Sequence, residues 1–309
     1  MNAAADLQPY DAGSSPRRFV ARPVRRSFYR ATVPGARLAG LDLSRVDFRM
    51  AILTGADLAH ASLNQATMIE TFLIGADLTG ASLYWTVLYE ANLSEASMVG
   101  ADLRRADARR AEFHGVNARR AKFDQARLYT AFLDHADFRQ GSFTETNLRK
   151  ADLTSSSFHM ADMRQADFSG AKAMKADLSG ADLTGAKLAG TNLRNANLSG
   201  VKLDGADLTK AVLRGADLSM ASLRGANLVG AELAGAKLPG VDLSGSLLDL
   251  VLDRSSFSWD QQTIWPDLDQ MVPTLQAWMA AQAEKERKKK EKAKRERRQR
   301  ELERSRMQR

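Results

Sequence analysis

The sequence predicts an all-β solenoid, a coil of short straight sides, followed by a C-terminal charged α-helix. Three observations predict it. From Ala36 to Leu250 the chain divides into 43 consecutive five-residue units with no insertion or deletion. The first residue of the unit is Ala in 31 of the 43, and the third is Leu, Phe or Met in 40, the exceptions being Ala108, Ala118 and Ala173. After Pro273 this phase gives way to alanines and then to a run of Glu, Lys, Arg and Gln.

A period of five matches neither a 3.6-residue helix nor an alternating strand. It matches a coil in which two of every five residues point inward. The large third residue fills the interior, and the small first residue lets the chain approach the axis near each corner. No single unit can bury its Leu alone, so stacked coils supply apolar contact and backbone hydrogen bonds together. A helix across this segment is disfavoured, because each interrupting Gly costs a helix about 1 kcal/mol.

Ala56-Asp57-Leu58, Ala76-Asp77-Leu78, Ala176-Asp177-Leu178 and Ala216-Asp217-Leu218 carry an A-(D/N)-L-x-x signature. In this the chain resembles the bacterial pentapeptide-repeat family. The resemblance implies a right-handed quadrilateral β-helix with four units per coil, here about 11 coils and, at about 4.8 Å per coil, a rod roughly 50 Å long. It also implies a runner-up function, since some members resemble duplex DNA in size and charge and act on gyrase, a type II topoisomerase, some conferring quinolone resistance.

The expected organisation is a flexible basic arm over 1–25, the β-helix over 26–250, an aromatic cap over 251–273 and a basic helix or tail over 274–309. The arm holds Pro16, Pro23 and scattered Arg. Arg25-Arg26-Ser27-Phe28 resembles a twin-arginine export signal only superficially, since no apolar stretch follows it. Beyond Leu248 the phase slips by one residue at Phe257 and Trp259. Asp260-Gln261-Gln262-Thr263-Ile264-Trp265-Pro266 then resembles a closing segment of such arrays, and Trp259, Trp265, Trp278 and Met271 are expected to cover the open last coil. In the tail, Glu284–Lys288, Glu286–Lys290, Glu291–Arg295 and Glu296–Arg300 place Glu four residues before a cation, the favourable order on a helix.

The 309 residues include 45 Lys+Arg, 37 Asp+Glu and no Cys. Structural disulfides, thiolate metal sites and a Cys nucleophile are therefore excluded, and a reducing, cytoplasmic setting is expected. No apolar run reaches the roughly 18 residues a membrane-spanning helix needs. The net charge of +8 is unevenly placed: +4 over 1–35, −1 over 36–250, −3 over 251–283 and +8 over 284–309. The body is neutral, and that argues against a DNA-mimicking rod, which needs a strongly negative surface.

No catalytic, metal or cofactor site is expected. His60, His114, His135 and His159 all fall on outward positions, and no hydrolase, zinc, P-loop or dinucleotide motif occurs. The second-position Asp residues read as regular outer ladders.

Residues 20 apart should stack on one face, and one region then stands out. Tyr84, Trp85, Arg104 and Arg105 share a face, and Tyr89, Arg109, Arg110 and Tyr129 share the next, with Lys122, Arg127, Arg119, Arg120 and Arg139 around them. Arg109, Tyr129 and Arg149 form one column, a geometry for cation–π contact. Ile52, Ile69, Phe72, Ile74 and Val87 add outward apolar surface. These are residue types enriched in binding hot spots, although drift on unconstrained positions would also place them there. The expected function is a non-enzymatic scaffold that binds an unidentified protein partner through this patch. The tail residues Lys288, Lys289, Lys290, Lys294, Arg295, Arg297 and Arg298 are candidates for contact with nucleic acid or anionic lipid, and a merely solubilising helix is the competing reading.

Overall fold

A computed structural model describes residues 27–248 and 258–266, together with Glu284, Arg287 and Lys288. The expected arm over 1–25, Phe257, Met271, Trp278 and the tail residues Lys289, Lys290, Lys294, Arg295, Arg297 and Arg298 lie outside the described residues.

From Ser27 onward each second-position residue forms a parallel bridge with the residue 20 positions later, as in Asp57↔Asp77 and Asp77↔Ser97, and the ladder continues to Asn227↔Leu247. Twenty residues per coil means four units per coil, one per side. Counting from Ala36, side one holds the units beginning Ala36 and Ala56, side two Leu41 and Ala61, side three Val46 and Ala66, side four Ala51 and Thr71. Beyond Leu248 the ladder resumes as Lys237↔Ser258 and Asp242↔Ile264, spacings of 21 and 22. The expected slip of phase is therefore present, and a second one follows it.

Hydrogen bonding explains the repeat residue by residue. Leu38 N–H donates to Asp57 O in the next coil at 2.7 Å, Asp57 N–H to Ala36 O at 2.9 Å, and Gly40 N–H to Ala59 O at 2.8 Å. The next unit's first N–H closes the corner, Leu41 N–H to Leu38 O at 3.3 Å. Every fifth residue from Arg30 to Gly245 has φ between 54° and 72°, the positive value that a type II turn requires of its third residue. The fourth residue's N–H is left over. Asp or Asn at the second position accepts it: Ala59 N–H donates to Asp57 Oδ1 at 3.1 Å and Thr79 N–H to Asp77 Oδ1 at 2.9 Å. The acidic ladders are thus turn caps.

Side two shows a variation that sequence reading missed. Where Ser replaces Asp at the second position, a fourth-position side chain one coil earlier supplies the acceptor. Asn64 takes the N–H of Tyr84, Asp124 that of Thr144 and Asp204 that of Arg224, at 3.0, 3.0 and 3.1 Å.

First and third residues are almost all buried. Thr replaces Ala at some first positions without leaving its hydroxyl unpaired: Thr71, Thr86, Thr146 and Thr191 donate to Phe48, Leu63, Phe123 and Phe168 O, each at 2.8 Å. The three third-position alanines also have a cause. Ala108 precedes a unit with buried Phe113, Ala118 one with buried Phe123, and Ala173 follows one with buried Phe168. The large ring reaches into space that a leucine fills in other coils, so its neighbour is reduced to a methyl. The coil between those of Phe123 and Phe168 holds both Phe138 and Phe143, 5.4 Å apart and edge to face. There the first residue between them is Gly141, where a Cβ would stand 3.0 Å from Phe138 O and from the Phe143 ring.

Candidate partner-binding face

The corner between sides two and three carries the predicted patch. Fourth- and fifth-position side chains leave side two at Tyr84, Trp85, Arg104 and Arg105, and second-position side chains enter side three at Val87, Asp107 and Arg127. Between them runs a groove of about 390 Å³ lined by Trp85, Val87, Arg105, Asp107, Gln125 and Arg127. Trp85 is 51% exposed on its rim.

Coil stacking sets the contacts. The Arg104 guanidinium lies 5.8 Å from the Tyr84 ring centre, Arg105 5.7 Å from Trp85 and Arg109 5.6 Å from Tyr89. In each pair the cation stands one coil past the ring. Tyr84 and Trp85 meet edge to face at 6.3 Å. The expected stacking of Arg109 with Tyr129 is corrected: Arg109 covers Tyr89, and the cation over Tyr129 is Lys150 at 6.0 Å. Arg109 leans back because Asp107, two residues before it, holds its Nε at 2.7 Å.

The arginines fall into two groups. Arg104 and Arg109 are locked to the Asp two residues earlier, at 2.6 and 2.7 Å. Burial opposes the charge of Asp102, but hydrogen bonds from the Arg104 side chain and backbone, with the charges of Arg104 and Lys122, outweigh it and hold the carboxyl below the usual carboxylate range. The same hydrogen bond raises Arg104, and Asp107 raises Arg109. Arg105 instead donates to the neutral Gln125 Oε1 at 2.8 Å, and Arg120 to Gln140 Oε1 at 3.0 Å. Among the described residues neither of these two has a carboxylate partner. Arg110 donates to Tyr89 Oη at 3.3 Å and pairs with Glu90 at 3.0 Å.

The structure therefore splits the predicted residues. Tyr84, Trp85, Arg104 and Arg105 form one cluster at the corner of sides two and three. Tyr89 and Arg109 continue it across side three, while Arg110 and Tyr129 line a second groove at the far edge of that side. Phe132, 49% exposed on the second groove, escaped notice; its signal was an aromatic ring at a second position, where a turn cap belongs. Lys288 pairs with Glu284 at 3.6 Å in the expected order, and both are helical. Among the described residues no group of three or more His, Asp or Glu could hold a metal, and no helix is long and apolar enough to cross a membrane.

A coil of four five-residue sides with alanine and leucine inside defines a pentapeptide-repeat solenoid. The chain belongs to the pentapeptide-repeat family: the family's repeats match it over 27–58, 56–94, 86–125, 132–170, 176–215 and 208–245, and the right-handed quadrilateral β-helix is that family's fold. Among solved structures it is similar to HetL of the cyanobacterium Nostoc sp. strain PCC 7120, a pentapeptide repeat protein involved in heterocyst differentiation regulation, with 30% identity over 69% of this chain and 89% of that one, at a TM-score of 0.34. Rfr23 of the cyanobacterium Cyanothece 51142 is 27% identical over 37% of this chain and 90% of its own, at 0.36. QnrB1, a plasmid-mediated fluoroquinolone resistance protein, is 18% identical over 82% and 99%, at 0.23. No curated protein matches the chain.

Proposed function

We propose that this protein is a non-enzymatic scaffold of about 11 coils, closed at its C-terminal end by the segment around Trp259 and Trp265 and extended by a basic helical tail. It binds a macromolecular partner through the corner of sides two and three. The observation that carries this reading is the exposed Trp85 ring with Arg105 above it, both at left-handed fifth positions with φ 58° and 60°. Glycine fills that position without strain, whereas an L-residue there costs about 1–2 kcal/mol. The fold asks for neither side chain, and an outward surface use accounts for both.

The cap reading rests on packing. Trp259 and Trp265 lie against the core, 5.8 Å apart and edge to face. Asp260 accepts the N–H groups of Gly240 and Gln262 at 3.0 Å, and Thr263 Oγ1 donates to Leu238 O at 2.7 Å. The tail over 284–309 supplies a polyanion contact that salt should weaken steeply.

The test is a crosslinking pull-down from the native cell with Tyr84→Ser, Trp85→Ala, Arg104→Ala and Arg105→Ala combined. Partner recovery should fall at least tenfold with an unchanged far-ultraviolet spectrum; undiminished recovery sinks the proposal. A gyrase supercoiling assay with and without quinolone separates the scaffold, which leaves it unchanged, from a DNA mimic. Deleting 284–309 should abolish salt-sensitive binding to RNA, DNA or anionic vesicles.

A further inference from the structure

The corner between sides three and four holds a groove of about 730 Å³, larger than that at the predicted patch and of opposite character. Its ends are marked by Phe72 and Phe132, 45% and 49% exposed, three coils or about 14 Å apart. Between them lie the carboxylates of Glu70, Glu90 and Glu112. Arg110 enters the groove and is held by Glu90 at 3.0 Å. Glu112 accepts from the Asn92 amide, while Glu70 makes no ion pair among the described residues. Three carboxylates against one guanidinium leave two negative charges between two exposed rings.

The fold does not require this arrangement. Phe72 and Phe132 occupy second positions, where Asp or Asn caps the N–H of the fourth residue, so at both corners the cap is given up for a ring facing water. Acidic groups one coil apart also repel. A cationic side chain laid along the groove would relieve that repulsion, and its methylene stem would cover the rings.

We propose that this groove docks a Lys/Arg-rich segment and that the segment is the chain's own tail, residues 285–309. Charge complementarity is the first argument: residues 285–309 hold 14 basic and 5 acidic side chains, and Lys288-Lys289-Lys290 is an unbroken basic run. Reach is the second. The groove lies about eight coils, or roughly 40 Å, from Ile264, and the 33 residues from Pro266 to Gln299 span about 50 Å even if wholly helical. Docking goes beyond the partner-binding reading and is independent of its Trp85 face, because the groove sits at the other edge of side three; it shares the tail with the proposed polyanion contact, with which it competes.

The absence of cysteine makes disulfide trapping clean. In the full chain, Gln299→Cys is combined with Asn92→Cys in the groove, or with Val99→Cys on side one as a control. Under mild oxidation the intramolecular disulfide should form about tenfold faster with Asn92→Cys than with Val99→Cys, reflecting the local concentration of a docked segment. About 0.5 M salt, or Glu70→Gln with Glu112→Gln, should remove that advantage. Equal rates at the two sites, or an advantage insensitive to both treatments, overturns the proposal. A disulfide that forms only between molecules at low protein concentration also overturns it, and assigns the groove to a second copy's tail.

Discussion

The middle and the C-terminal third of the rod share one backbone and differ in their corners. Of the 17 left-handed fifth positions from Trp85 to Gln165, only Gly100 and Gly115 are glycine; from Gly170 to Gly245, 12 of 16 are. The hydrogen-bond ladder is the same in both. The C-terminal coils therefore turn without strain except at Lys175, Asn195, Lys210 and Met220, whereas the middle coils turn mostly with residues such as Arg, Gln, Glu, Trp and His in a conformation that disfavours them. Both grooves flanking side three fall in or beside the strained stretch. Strain of this kind concentrates where side chains are used, which supports the proposed use of the middle of the rod.

The interior differs too. Third positions from Phe113 to Phe168 are rich in phenylalanine, with Phe123 over Phe143 at 4.8 Å and Phe138 over Phe158 at 4.9 Å, whereas from Leu178 to Leu248 every third residue is leucine. The largest expected effect attacks that difference. Phe143→Ala should cost about 3–5 kcal/mol in denaturant unfolding, because Gly141 beside it offers no side chain to fill the space. A smaller effect tests volume conservation within a coil. Ala173→Leu should cost about 1–3 kcal/mol by overpacking, and adding Phe168→Leu, which makes the pair two leucines, should recover most of it. If the pair behaves additively, the alanine–phenylalanine compensation is wrong.

Next in size is the corner strain itself. Gly205 has φ 65° and open space around its missing Cβ, so Gly205→Ala isolates the backbone term and should destabilise by about 1 kcal/mol. Arg105→Gly reverses the test in the middle of the rod. It should leave stability unchanged or raise it by up to about 1 kcal/mol, since relief of strain is offset by the lost Gln125 hydrogen bond and by glycine's unfolded-state entropy. A loss greater than about 1 kcal/mol would mean that the middle corners are not strained and that their side chains reflect no surface use.

Much of this architecture was legible in the sequence. The five-residue phase gave both inward positions and the 20-residue stacking that brings Tyr84 beside Arg104. What escaped were relations the repeat does not encode: which side chain meets a backbone N–H, how neighbouring core residues share a coil's volume, and which way a side chain leans. Asn64, Asp124 and Asp204 cap corners 20 residues on, and nothing in their own unit marks them. Ala108, Ala118 and Ala173 looked like lapses in the pattern until their neighbouring phenylalanines were placed in the same coil. Arg109 was assigned to Tyr129 because column membership fixes the face but not the direction in which a guanidinium leans. Its pairing with Asp107 decides that direction. Phe132 needed the knowledge that a second-position ring forgoes a turn cap, which only the hydrogen bonds supply.

The smallest expected effects are electrostatic and separate the two regions by their partners. Asp47 and Asp162 are lowered chiefly by a side-chain hydrogen bond from the Arg two residues on, against the opposing effect of burial. For Asp217 and Asp242 burial is the largest influence and raises them, but hydrogen bonds from Ser219 and Ser244, then from Lys237 and Arg224, outweigh it. A carboxyl whose folded value lies below its unfolded value of about 3.9 stabilises the fold fully above that value. The contribution fades as pH falls through the lower folded value. Unfolding free energy should therefore be flat from pH 7 to about 5 and decline below about 4. Asp162→Asn keeps the cap on Arg164 N–H and removes only the ion pair, so it should cost no more than about 0.5 kcal/mol, since both side chains are more than a third exposed and such pairs contribute little. The cost should vanish in about 1 M salt. Asp217→Asn should be nearly as mild, because Asn can still accept the N–H of Ser219. Asp217→Ala should cost more, about 1 kcal/mol at any salt concentration, since it removes the cap itself. If the Asn and Ala variants are equally damaging, the acidic ladders act through charge and not as turn caps.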